Sequence, residues 1–115
     1  MLFRSLASIL FTILLLAGSC EEVVFYGDLE VLITGTLSGN PRSDIGVTLY
    51  LTKANAEDQV NAIGYTEFTD ADGYAIFYDL EAGVRYWVRS DVVLVYIKRT
   101  QTLKEGYNLF DFTVL

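Results

Sequence analysis

The chain reads as an all-β sandwich of about seven strands, preceded by a cleavable apolar leader. Three observations predict this. From Leu29 onward apolar residues alternate with polar ones in the strand period. Turn-forming clusters interrupt that alternation every 8–12 residues or so. No segment after the leader carries a sustained helical period, and no internal repeat or low-complexity tract is present.

Each strand follows from its own pattern. Residues 29–37, LEVLITGTL, put Val31, Ile33, Gly35 and Leu37 on one face. The loop 38–44, SGNPRSD, holds the only proline. Residues 46–53 form a second strand with Val47, Leu49 and Leu51 inward. The polar excursion 54–61, ANAEDQVN, has room for one helical turn. A third strand is expected over 62–69. Asp70-Ala71-Asp72-Gly73 then closes a hairpin, with Gly73 suited to a left-handed backbone position. Further strands are expected over 74–79, 84–90, 92–103 and 107–115. The last has Phe110, Phe112 and Val114 on one face.

The leader is a different kind of segment. Leu2 to Gly18 is apolar except for Arg4, Ser5, Ser8 and Thr12. Arg4 and the amino terminus give the positive start of a secretory signal. Leu6 to Leu16 gives its apolar stretch, and Ala17-Gly18-Ser19 its small residues. The run is shorter than the roughly 20 apolar residues a membrane-spanning helix needs. LLAGSC, ending at Cys20, resembles the bacterial lipobox in its looser, Bacteroidetes-type form, with Ala17 where Leu is favoured. The resemblance implies cleavage before Cys20 and a covalent lipid on its thiol. Glu21 and Glu22 resemble the acidic signal that sends such lipoproteins to the cell surface, so the outer membrane is the expected location. The expected division is leader 1–19, lipidated tether 20–28 and sandwich 29–115.

Composition narrows the function. The chain has 8 basic and 15 acidic side chains; losing Arg4 with the leader leaves 7 against 15, a formal charge of −8. That charge repels phosphate backbones and argues against nucleic acid as a partner. Without histidine, Ser-His-Asp and Cys-His catalysis are excluded, together with the usual zinc sites. A single cysteine excludes an internal disulfide. Asp70-x-Asp72-Gly73 is half of a calcium-loop pattern, and a plain turn explains it better.

The stretch from Thr69 to Tyr86 carries the most specific signal. Thr69, Asp72, Gly73, Phe77, Leu80, Gly83 and Tyr86 fit a T-x-x-D-G-x-x-x-F-x-x-L-x-x-G-x-x-Y pattern. It resembles the carboxypeptidase regulatory-like and Cna-B-like domains. ITGTL at 33–37 and GVTLYL at 46–51 resemble their opening strands. The resemblance implies a Greek-key sandwich of the prealbumin, or transthyretin-like, type and says little about function. Relatives that hydrolyse 5-hydroxyisourate need histidines and a particular C-terminal tetrapeptide. This chain has no histidine and ends Phe-Thr-Val-Leu. Relatives that form a Lys–Asn isopeptide bond would use Asn108 here, but residues 29–37 offer no lysine and Lys53 lies at the end of the next strand.

If Phe77 and Tyr86 face the core, alternation turns Tyr74, Ile76 and Tyr78 outward, along with Arg85, Trp87 and Arg89, with Tyr50 joining them. Tyr and Trp interleaved with Arg is the composition of a binding patch. The expected function is therefore a non-enzymatic, membrane-tethered adaptor without a cofactor, docking a partner protein through an outer sheet face. The alternative is a small carbohydrate-binding lipoprotein that stacks sugars on the same aromatics. A third reading assigns the aromatics no ligand, only cross-strand packing on a half-exposed sheet.

Overall fold

The computed structural model describes residues 23–115; the leader and Cys20 lie outside them. Seven strands and one short helix follow in the order β1 (Tyr26–Gly35), β2 (Gly46–Tyr50), α1 (Lys53–Asp58), β3 (Ile63–Phe68), β4 (Tyr74–Glu81), β5 (Trp87–Asp91), β6 (Val95–Arg99) and β7 (Gly106–Val114). They build two sheets, a three-stranded one in the order β4-β1-β7 and a four-stranded one in the order β3-β2-β5-β6. The expected seven-stranded sandwich is the fold found.

Alternation produces the core. Leu29, Val31 and Ile33 from β1, Ala75 and Phe77 from β4, and Phe112 and Val114 from β7 point inward from one sheet. Val47 and Leu49 from β2 and Val88 from β5 meet them from the other. Tyr86 and Leu103 close one end. Tyr96 and Phe110 pack edge-on against Phe112, with ring centroids about 6 Å away. The terminal strands β1 and β7 pair in parallel from Gly27↔Gly106 to Gly35↔Val114, which ties the two ends of the domain into one ladder.

Several boundaries differ from expectation. β1 starts at Tyr26, inside the expected tether, because Tyr26 and Gly27 pair with Glu81 and Leu80 of β4. Leu37 is 91% exposed, since β1 ends at Gly35 and the chain turns there. Leu51 is exposed for the same reason, lying beyond the end of β2. The expected fifth and sixth strands are shorter than their apolar runs, because Val84 and Leu103 are held in the links by one Leu103 N–H to Val84 carbonyl bond of 2.9 Å.

The 70–73 turn does not close a hairpin. β3 and β4 belong to different sheets, and the turn carries the chain from one to the other. Its residues explain the resemblance motif physically. Thr69 Oγ1 donates to the Arg42 carbonyl at 2.6 Å and accepts from Ile45 N–H at 2.9 Å. Asp70 Oδ1 accepts from the N–H groups of Asp72 and Tyr74. Gly73 has φ +84, and a Cβ there would sit 2.7 Å from the Ile33 carbonyl oxygen, so no side chain fits. Tyr86 Oη donates to the Glu81 carbonyl at 3.0 Å, pinning the β4–β5 link as a tyrosine corner does. Thr69, Gly73, Phe77, Leu80 and Tyr86 are spent on holding the fold, while the carboxylate that caps the turn belongs to Asp70 and not to the motif's Asp72.

Candidate functional site

The outward residues expected to form one patch are divided between two opposite surfaces. Tyr74 and Tyr78 lie on β4, in the three-stranded sheet; Tyr50, Trp87 and Arg89 lie on β2 and β5, in the four-stranded sheet. Consecutive strands on facing sheets turn their outward side chains in opposite directions. Arg85 precedes β5, and its Nε donates to the Thr100 carbonyl at 2.8 Å.

The surface of the four-stranded sheet is partly roofed. Thr52 caps α1 by accepting from Asn55 N–H, and Gln59 ends it in the left-handed region at φ 53. The helix rests on the outer side of β2 and β5 with Ala56 fully buried. Arg89 secures it. Its Nη1 donates to the carbonyls of Ala56 and Glu57 at 2.7 and 3.1 Å, while Nε and Nη2 grip the Asp91 carboxylate at 3.0 and 3.2 Å. The guanidinium thus satisfies the free carbonyls at the end of the helix. Arg89 is therefore 9% exposed and Tyr50 only 4%, so neither is the exposed contact residue the alternation predicts. Trp87 is half-buried, with the Arg99 guanidinium 5.6 Å from its ring centre.

Beside the helix, a groove of about 350 Å³ remains on this surface. Thr48 and Thr66 line it, their hydroxyls 2.7 Å apart, together with Phe68 and the carboxylates of Asp44 and Asp91. Phe68 and the two threonines carry no motif that would have marked them in advance.

Among the described residues no helix lies on the surface of the three-stranded sheet. β4 contributes Tyr74, Ile76 and Tyr78; β1 contributes Asp28, Glu30, Leu32 and Thr34; β7 contributes Tyr107, Leu109 and Asp111. Register places Leu109, Glu30 and Ile76 in one row, and Asp111, Leu32 and Tyr74 in the next. Tyr78 is 64% exposed. Tyr107 Oη donates to Glu30 Oε1 at 2.7 Å. That bond to a carboxylate holds the Tyr107 phenol above its ordinary pKa of 10, with burial and the Glu30 charge adding to the shift. Opposite Asp28, β4 bulges: Asp79 takes φ 55, and its N–H donates to Asp28 Oδ1 at 3.0 Å. The bulge leaves Tyr78 and Asp79 both exposed. Tyr107 and Leu109 escaped the sequence reading because β7 joins β4 on this sheet only through the parallel pairing of β1.

Asn108 is a structural residue. Its amide Nδ2 donates to the carbonyls of Asp28, Lys104 and Gly106, and its Oδ1 accepts from Lys104 N–H. Among the described residues no cluster of three metal-ligating side chains occurs.

No protein-family model matches the chain, and no curated protein matches it. Its fold is similar to part of a solved structure titled "The Bacillus anthracis TIE protein", with a TM-score of 0.57 at 15% identity. The likeness covers 77% of this chain and 16% of that one. At that identity it shows a shared fold.

Proposed function

We propose that this chain is a non-enzymatic binding module, tethered to the outer membrane through lipid on Cys20, which holds a partner protein on the outer face of its three-stranded sheet. The observation that carries the reading is the contrast between the two outer faces. One is occupied by its own helix; the other presents three tyrosines, Ile76, Leu32 and Leu109 around Glu30, with no helix over them among the described residues. Tyrosine supplies large contact area at low entropic cost, and here aromatic and aliphatic side chains surround one carboxylate, Glu30, which Tyr107 holds in place. Asp28, Glu30, Asp79 and Asp111 make this face acidic, so the partner's matching surface carries Lys or Arg. The resemblance to carboxypeptidase regulatory-like and Cna-B-like domains fits a module of this kind.

The test is site-directed photocrosslinking in intact cells. A crosslinker at Tyr78 should trap a discrete partner, while one at Thr48, on the opposite face, should not. Equal yields from both positions would remove the face assignment.

The groove on the other face favours one second reading. Phe68 beside paired threonines and carboxylates offers stacking and hydrogen bonding to a sugar ring. In that case Phe68→Ala abolishes retention on polysaccharide columns and Tyr78→Ala leaves it intact.

A further inference from the structure

The end of the sandwich nearest Cys20 carries a second surface. Val23, Phe25 and Tyr26 are 75%, 53% and 55% exposed, and Val24 is exposed with them. Phe25 and Tyr26 are held in place by the fold. The Phe25 carbonyl accepts from Ala82 N–H at 2.8 Å, and Tyr26 is paired with Glu81 in the β1–β4 ladder. The links behind them are joined as well, by a 2.7 Å bond from Gly83 N–H to the Leu103 carbonyl. Together Val23, Val24 and Phe25 wall an open cleft of about 380 Å³ with Ala82, Gly83 and Leu103. A chain fixed at Phe25 and Tyr26 therefore presents four consecutive apolar or aromatic side chains to the surroundings, at one end of the sandwich.

The position of that end in the chain indicates what covers it. Val23 lies three residues from Cys20. Even a fully extended chain spans no more than about 3.6 Å per residue, roughly 11 Å in all. A lipid on Cys20 keeps Val23 within about 11 Å of the anchor and Tyr26 within about 22 Å, so all four side chains can reach the headgroup layer, where Tyr and Phe sit well and aliphatic side chains reach the acyl boundary. Lys104, Glu81 and Glu105 flank the cleft. Their charges stay hydrated among the headgroups and keep the insertion shallow.

We infer that Val23–Tyr26 is a membrane-contact surface, which seats the tether end of the sandwich on the lipid bilayer and fixes the domain's orientation. The inference rests on the lipid anchor at Cys20 proposed above. It goes beyond that anchor, because a lipidated cysteine alone would let the domain tumble. Seated this way, β1 leads away from the bilayer toward Gly35. The outer face of the three-stranded sheet then stands clear of the lipid at its side, open to a partner.

The experiment uses the lipidated protein in phosphatidylcholine vesicles containing acyl-brominated lipid. Cys20 is the only natural cysteine and is blocked by lipid, so Val23→Cys and Leu37→Cys each take one environment-sensitive fluorophore. The label at 23 should be quenched and blue-shifted, and the label at 37, at the far end, should not. Adding Phe25→Ser and Tyr26→Ser should lower the quenching at 23 at least two-fold, with the circular dichroism spectrum unchanged; Phe25→Ser alone serves if the double change disturbs the β1–β4 ladder. Unchanged quenching in the serine variants would show that the anchor alone brings position 23 to the lipid, and would overturn the contact surface while leaving the anchor standing. Intact mass separates the other failure: a protein with no acyl mass on Cys20 refutes the anchor itself.

Discussion

The two outer faces of this sandwich begin from similar sequence and end differently. Both offer alternating aromatic and polar residues on central and edge strands. On the four-stranded sheet, a six-residue helix between β2 and β3 folds back and covers Tyr50 and Arg89. On the three-stranded sheet no connection among the described residues returns, so Tyr78 and Tyr107 stay exposed and Tyr74 half-exposed. A short connection is thus enough to turn one aromatic face into a small second core and to leave its counterpart as a surface.

Breaking the roof should have the largest effect on stability. Arg89→Met keeps the aliphatic stem but removes the donors to Ala56, Glu57 and Asp91. The helix carbonyls are left without partners, at a cost of about 2–3 kcal/mol in urea unfolding. A loss under about 1 kcal/mol would show that the guanidinium does not hold α1 down.

The bulge on the open face comes next. Asp79 sits at φ 55, where a β-branched side chain is strained. Asp79→Val should cost about 1–2 kcal/mol, and Asp79→Gly should be close to neutral. Equal effects from the two would place the cost in the carboxylate and acquit the backbone.

Tyr78→Ala should lower stability by less than about 1 kcal/mol, since the ring is largely in solvent. The same change should lower the yield from a photocrosslinker placed instead at Leu109 on the same face at least ten-fold, and that separation of binding from stability is the sharpest test of the contrast between faces. If Tyr78→Ala unfolds the domain, its ring belongs to the packing of the sheet.

The smallest expected effect is a titration. The Tyr107 phenol is bonded to Glu30 and ionises above the ordinary tyrosine value. A raised folded pKa means that the contribution is fully present below the unfolded value near 10. It is lost only as pH climbs through the folded one. Ultraviolet difference titration should show late-ionising tyrosine from Tyr107 and the buried Tyr86, and Glu30→Gln should bring the Tyr107 part earlier. No change in Glu30→Gln would mean that the bond is not kept in solution.

The strands were legible because each is half-buried, and half-burial writes a period of two into the residues. Val31, Ile33, Val47, Leu49, Phe77, Val88 and Phe112 are inward as that period requires. Leu37 and Leu51 deceived it, because apolar identity continues past the point where pairing stops. The Thr69–Tyr86 motif was legible as well, since its turn, its αL glycines and its buried Tyr86 depend on local backbone needs that only certain residues meet. The candidate site was legible residue by residue and not as a surface. Tyr74 and Tyr78 are accessible as alternation predicts, yet Trp87 and Arg89 face the other way.

By itself, then, the sequence determined a largely β chain, its strand count, the inward residues within its paired strands and the absence of histidine chemistry. The proposed leader and Cys20 lie outside the described residues. Tertiary structure alone decided which sheet each strand joins, that the 70–73 turn passes between sheets, and that α1 covers one face. The physical reason is range. Alternation is fixed by neighbours two residues apart, whereas sheet membership is fixed by pairings such as Leu29↔Asn108, between residues far apart in the chain.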